Sequence, residues 1–188
     1  MISEVEALQT ITKHRRDYII IHTFTTIAGW PEKMDYEIDL PFTASFGKGS
    51  SFALGLALAR PDKKFMVLDG DGGLLSNLGT LLTISNMAPP NLVHFVFENS
   101  VWETTGGQPL PAADKIDMST FAKSAGYPNV YCFDSIRDFS EQIEAILDNK
   151  GPTFISLKVA RDGKRQPMQP KMQQTFFQFR TALEKSIP

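Results

Sequence analysis

Asp71 sits in Gly70-Asp71-Gly72-Gly73, directly behind the strand-like run Lys64-Phe65-Met66-Val67-Leu68, and Asn99 ends a second apolar run 28 positions after it. A carboxylate between glycines at a strand end repels phosphate when it acts alone. With a divalent cation between them the same arrangement becomes a diphosphate anchor, because hard oxygen ligands hold Mg²⁺ while phosphate oxygens take its remaining positions. Asp71 would supply a charged oxygen, Asn99 a neutral amide oxygen and the Val101 backbone carbonyl a third. Gly72 and Gly73 let the backbone approach a diphosphate closely, and a helix opening near Ser76 would aim its positive end at the same anion. Taken singly, Asp71 reads as a turn aspartate and Asn99 as a loop asparagine. Jointly, at two strand ends, they read as a metal–diphosphate site.

Two commoner phosphate motifs fit less well. Gly70-Asp71-Gly72-Gly73-Leu74-Leu75 begins like a dinucleotide-binding turn, but Leu75 takes the place of the third glycine. Gly47-Lys48-Gly49-Ser50 imitates the end of a nucleoside-triphosphate loop, yet Gly49 stands where Ser or Thr must follow the lysine, and Phe42 where the first glycine belongs.

The elements that must position these residues are legible as an alternation. Tyr18 to His22, Phe65 to Leu68, Leu92 to Phe97, Asn129 to Phe133 and Thr153 to Val159 read as strands. Ser50 to Ala59, Leu75 to Met87, Ser119 to Ala125 and Ser135 to Leu147 read as helices, with Ser76, Ser119 and Ser135 as N-caps. This order predicts an α/β fold: a three-layer, doubly wound, mostly parallel sheet with helices on both faces and ligands at the carboxyl ends of the strands. Met1 to His14 reads as a leading helix and Met172 to Ser186 as a closing one. The polar stretch from Arg161 to Pro170 reads as an arm, so residues 1–188 form a single domain with a C-terminal arm and helix from about 161.

Composition narrows the partners. The formal net charge is −2, and the basic residues are scattered apart from short stretches such as Arg161-Asp162-Gly163-Lys164-Arg165, so nucleic acid is not an expected partner. No stretch approaches the about 20 apolar residues of a membrane span, and Met1-Ile2-Ser3-Glu4-Val5-Glu6 is acidic where a signal peptide is basic. A cytoplasmic location is expected. The single Cys132 lies in the apolar run Val130-Tyr131-Cys132-Phe133 and reads as a buried structural thiol. His14, His22 and His94 read as neutral, hydrogen-bonded histidines rather than bases or ligands.

The pattern Gly-Asp-Gly followed by an asparagine just under thirty residues on resembles the diphosphate-binding domain of thiamine diphosphate enzymes. The stretches Ala44 to Ala59, Leu68 to Gly72, Ser76 to Leu81, Thr105 to Pro109 and Gly151 to Ile155 are similar to the phosphonopyruvate and sulfopyruvate decarboxylase group. The resemblance runs from about Tyr18 to Val159. It implies thiamine diphosphate and Mg²⁺ as cofactors, with Asp71, Asn99 and the Val101 carbonyl as the metal set. It also implies decarboxylation of a small 2-oxo acid, sulfopyruvate first among them. The cofactor-activating glutamate would then come from a separate pyrimidine-binding, α-like subunit, this chain matching the β subunit of a two-chain enzyme in a homo- or hetero-oligomer. The alternatives are a half-subunit of another thiamine enzyme, such as a synthase or an oxo-acid dehydrogenase, or a cofactor-binding module without turnover.

By the same resemblance Ala44, Ser45, Phe46, Gly47, Lys48, Gly70, Gly72, Gly73 and Trp102 join Asp71, Asn99 and Val101 around the cofactor. Phe46 falls where an apolar wedge supports the bent cofactor, and Ala44 where a carbonyl accepts from its amino group. Lys48 departs from the usual small residue or histidine and could pair with phosphate. Glu98, in place of an asparagine, is expected to face structure or solvent. Thr105 falls near the place of an acid in related decarboxylases, and Glu103 is the local reserve for proton transfer.

Overall fold

In the computed structural model the described residues are 1–31, 35, 37–43, 45–160 and 172–186, with side chains described from 175 onward in the last stretch. In chain order the elements are β1 (Ile2–Ser3), α1 (Glu4–His14), β2 (Ile19–Thr23), α2 (Thr25–Gly29), β3 (Asp39–Phe42), α3 (Gly49–Ala59), β4 (Phe65–Gly70), α4 (Asp71–Leu75) and α5 (Thr80–Met87). They continue with β5 (Leu92–Glu98), β6 (Val101–Trp102), a 3₁₀ turn (Glu103–Thr105), β7 (Gln108–Pro109), α6 (Met118–Ala125), β8 (Asn129–Phe133), α7 (Ile136–Leu147), β9 (Thr153–Ala160) and α8 (Met172–Lys185).

Seven of the strands form one sheet in the order β1-β9-β5-β4-β2-β3, with β8 also pairing β9, and every pairing in it is parallel. Parallel strands covered on both faces need apolar side chains at every position. The runs Ile19-Ile20-Ile21, Phe65-Met66-Val67-Leu68 and Phe154-Ile155 meet that demand. Alternation then sorts them: Ile20, Met66, Leu68, Phe95 and Ile155 pack with α1, α2 and α7, while Ile21, Val67, Val96 and Phe154 pack with α3, α4, α5, α6 and α8. The two clusters are the two interlayer cores of the expected three-layer architecture. No helix among the described residues is long and apolar enough to cross a membrane.

Several local expectations change. The helix expected over Leu75 to Met87 is two, α4 and α5, separated by Ser76 to Gly79. Ser76 ends α4 instead of opening a helix, its hydroxyl donating to Gly72 O at 3.1 Å, and Asn77 donates to Ser51 Oγ at 3.1 Å. Polar side chains that satisfy themselves in this way compete with the helical ladder. Ser119 is not a cap either: the Asp117 carboxylate accepts from the Thr120 N–H and opens α6. Ser135 does cap α7.

Cys132 is exposed rather than buried. It lies on β8, which pairs with β9 alone, so one side of the strand faces away from the covered part of the sheet. Two short strands, β1 and β3, carry too few residues to show a period, and the β6–β7 hairpin is antiparallel. The arm expected over Arg161 to Pro170 lies outside the described residues, whereas the closing helix is present as α8.

Candidate functional site

The carboxyl ends of β2, β4 and β5 open onto one cavity, lined by Thr23, Phe24, Thr25, Phe46, Gly70, Asp71, Gly72, Gly73, Asn99, Val101, Trp102, Glu103 and Thr104. The three proposed metal ligands, from strand ends 28 positions apart in sequence, therefore meet in one place. β4 runs straight into α4, so Asp71 is the first helical residue, with Gly70 extended before it. The helix that faces the cavity thus opens at Asp71 and not near Ser76.

Asp71 is 3% exposed. Its Oδ1 accepts the Gly72 N–H at 2.8 Å and its Oδ2 the Ser100 N–H at 2.7 Å. Burial pushes its carboxyl up to about 6; the N–H groups of Ser100 and Gly72 oppose that rise and the charge of Glu98 adds to it. A carboxylate held in that state gains from a cation. Asn99 turns its amide oxygen to the Val101 N–H at 3.1 Å, and its amide nitrogen donates to Glu103 Oε2 at 3.3 Å. One carboxylate, one amide oxygen and one backbone carbonyl make a hard, mostly neutral donor set, which suits Mg²⁺ sharing its shell with phosphate. Among the described residues no group of three His, Cys, Asp or Glu side chains could hold a metal.

Three rings wall the cavity. Phe46 packs on Phe24 with centroids 5.0 Å apart and on Trp102 at 5.6 Å. Trp102 in turn lies against the glycine-rich turn: a Cβ on Gly72 would come within 2.8 Å of Trp102 Cε3. Gly47, at φ +70°, is required twice over, by its left-handed backbone and because a Cβ there would lie 2.7 Å from Gly73 O. The loop before α3 is thereby seated on α4 itself.

Other expected site residues are placed elsewhere. Ser45 and Lys48 are exposed and do not line the cavity; Lys48 precedes α3 without capping it through its side chain. Thr105 is exposed beside the cavity, its hydroxyl donating to Trp102 O at 3.3 Å, whereas Glu103 and Thr104 do line it. Ala44 lies outside the described residues. Glu98 hydrogen-bonds Ser156 and sits outside the lining; burial pushes its carboxyl up, against the pull of that hydrogen bond. His14 meets Glu144 at 3.1 Å, and the buried His94 lies 3.5 Å from Tyr127 Oη.

Sequence reasoning missed Thr23, Phe24 and Thr25. Their signal was present: the apolar run of β2 breaks into Thr23-Phe24-Thr25-Thr26 at its carboxyl end, where parallel sheets bind ligands.

Residues 24–157 match the family described as thiamine pyrophosphate enzyme, C-terminal TPP binding domain. The chain is 36% identical over 164 residues to the sulfopyruvate decarboxylase subunit beta of Methanothermobacter thermautotrophicus, covering 85% of this chain and 83% of that one. It is 36% identical over 115 residues to a phosphonopyruvate decarboxylase of Streptomyces viridochromogenes, which covers 61% of this chain but 28% of the relative. Among solved structures, benzoylformate decarboxylase from Polynucleobacter necessarius superposes with a TM-score of 0.74 at 14% identity, over 89% of this chain and 34% of that one. At that identity the superposition speaks for the fold, and the match over 24–157 takes in every residue that lines the cavity except Thr23. The chain belongs to the thiamine pyrophosphate enzymes, as their C-terminal TPP-binding domain.

Proposed function

We propose that this chain is the thiamine diphosphate- and Mg²⁺-binding subunit of a 2-oxo acid decarboxylase, of the sulfopyruvate decarboxylase β type, acting with a separate pyrimidine-binding subunit. The observation that carries the reading is the meeting of Asp71, Asn99 and Val101 at one cavity floored by the glycine-rich turn. The 36% identity to a protein named as a β subunit supports the subunit reading. The chain matches most of a β subunit in length, but less than a third of the phosphonopyruvate decarboxylase and about a third of the solved benzoylformate decarboxylase.

Asp71, the Asn99 amide oxygen and the Val101 carbonyl would hold the ion. When bound, the cofactor supplies an electron sink that accepts the pair released as CO₂ leaves. The chain's own task is position. Phe46, pressed between Phe24 and Trp102, offers a rigid apolar face beside the diphosphate end, and Glu103 fixes which way the Asn99 amide points. Glu103 also lines the cavity and is this chain's candidate for proton transfer, whereas the exposed Thr105 does not line it. The carboxylate that activates the aminopyrimidine ring would come from the partner.

The test is decarboxylation by the purified chain, alone and with its partner, against a panel of 2-oxo acids with CO₂ detection. Activity is expected only with the partner and Mg²⁺. Full activity of the single chain, or binding of thiamine diphosphate that ignores chelator, overturns the reading.

A further inference from the structure

Beneath the cavity a buried polar line crosses the sheet on the face covered by α3 to α6. Tyr127 Oη lies 3.5 Å from His94 Nδ1, and His94 Nε2 lies 3.7 Å from Asp69 Oδ2. Asp69 Oδ1 then accepts from the Gly70 N–H at 3.0 Å and from Thr23 Oγ1 at 3.3 Å, a hydroxyl that also reaches Leu68 O at 3.0 Å. Strand register produces this line. His94 pairs with Val67, so Asp69, two residues on, lies diagonally from it on the same face; His22 pairs with Leu68, which brings Thr23 beside Asp69.

Asp69 is 2% exposed and His94 is fully buried. The two atoms that face each other, Asp69 Oδ2 and His94 Nε2, have no hydrogen-bond partner. A buried carboxylate with one oxygen unsatisfied is a poor device for stability alone. What Oδ1 touches gives it another use. Thr23 and Gly70 bond to it, and a Cβ on Gly73 would lie 2.7 Å from it, so the turn passes directly over this oxygen. Thr23, Gly70 and Gly73 all line the cavity, while Asp69 itself does not.

We propose that Asp69 is a positioning residue: its Oδ1 clamps the β2–α2 turn to the Gly70–Gly73 turn, setting the gap between two walls of the cavity, with His94 as the backstop that keeps the carboxylate in place. The clamp is a property of the free chain; that it serves diphosphate rests on the function proposed above.

The experiment pairs calorimetric titration of the full chain with Mg²⁺ and thiamine diphosphate with amide hydrogen exchange of the same samples without ligand. Asp69→Ala is expected to weaken binding about tenfold, the size of one lost buried hydrogen bond. It should also speed exchange at Thr23–Thr25 and Gly70–Gly73 together. Asp69→Asn keeps Oδ1 and turns an amide N–H toward His94, so it should restore both readouts. Thr23→Val cuts one arm and should loosen both turns, and adding it to Asp69→Ala should cost little more than Asp69→Ala alone. If the unmodified chain fails to bind, the proposed function falls while exchange still decides the clamp. Unchanged exchange at the two turns in Asp69→Ala overturns the clamp. Should Asp69→Ala fail to fold, Thr23→Val decides: exchange that stays slow at Gly70–Gly73 overturns it too.

Discussion

The Ser100 N–H donates to Asp71 Oδ2 at 2.7 Å, joining residues 29 positions apart and tying the β4–α4 turn to the loop after β5. Ser100 takes a left-handed backbone, φ 64°, to make that approach. The carboxylate that would hold the metal is therefore also the strut that holds the second ligand loop against the first. Asn99, one residue before the strut, has little freedom to leave.

Asp71→Asn separates the two roles. The isosteric amide keeps an oxygen for one N–H but removes the charge that burial penalises. The shift from 3.8 to about 6 means that the folded chain disfavours the ionised form, in full above pH 6, by up to about 3 kcal/mol. The metal-free variant is expected to melt at a higher temperature than the parent at pH 7.5 and to lose Mg²⁺-dependent cofactor binding. A lower melting temperature would show that the two N–H bonds outweigh the burial.

Gly70 and Gly72 make a contrasting pair. A Cβ on Gly70 meets nothing within 4 Å, whereas one on Gly72 meets the Trp102 ring at 2.8 Å. Gly72→Ala must move the indole and should cost about 1–3 kcal/mol, with a change in tryptophan emission. Gly70→Ala, at φ −97°, should leave emission and denaturant midpoint close to the parent's. Equal effects from the two would mean that Trp102 is not seated on the turn.

The layers were readable because burial on both faces demands long apolar runs, and those runs are β2, β4, β5 and β9. The residues proposed to hold the metal stood out because Gly-Asp-Gly and Asn99 each end such a run. What escaped depends on pairing and not on pattern. Cys132 belongs to an apolar run, yet its strand has one neighbour. Lys48 stands in a phosphate-like motif, yet the loop turns at Gly47 and leaves it outside. Thr23 and Asp69 come together only through strand register, which a single chain does not announce. The cluster of Arg15, His22, Trp30 and Asp39 was equally hidden, its members drawn from the residue after α1, from β2, from the residue after α2 and from β3.

That cluster carries a pH dependence. His22 is fully buried, with Asp39 Oδ1 3.4 Å from its Nε2 and the Trp30 ring at 4.5 Å; Arg15 holds Asp39 at 2.9 Å. Burial lowers His22, and the hydrogen bond with Asp39 only partly offsets this. The unfolded chain thus takes up a proton first as pH falls below about 6.5, so His22's share of stability falls with it, at up to about 1.4 kcal/mol per pH unit, while protonation of Asp71 near 6 pulls the other way. His22→Gln is expected to raise the denaturation midpoint at pH 5.5, relative to its own value at pH 7.5, above the change the parent shows. Parallel curves for the two proteins would remove His22 as the cause.

Glu103 can be assigned by charge-neutral replacement. Its Oε2 accepts from the Asn99 amide nitrogen, an arrangement that leaves the amide oxygen as the group available to a cation. If Glu103 acts by orienting Asn99, Glu103→Gln retains an acceptor and should bind Mg²⁺ and thiamine diphosphate within about threefold of the parent, whereas Glu103→Ala should bind about tenfold more weakly. If it also moves a proton during turnover, Glu103→Gln assembled with its partner should bind normally and yet lose about 10²-fold or more in CO₂ release. Binding and turnover measured on one preparation of each variant therefore distinguish the two duties. Equal binding by Glu103→Ala and the parent would leave Asn99 oriented by its 3.1 Å bond from Val101 alone.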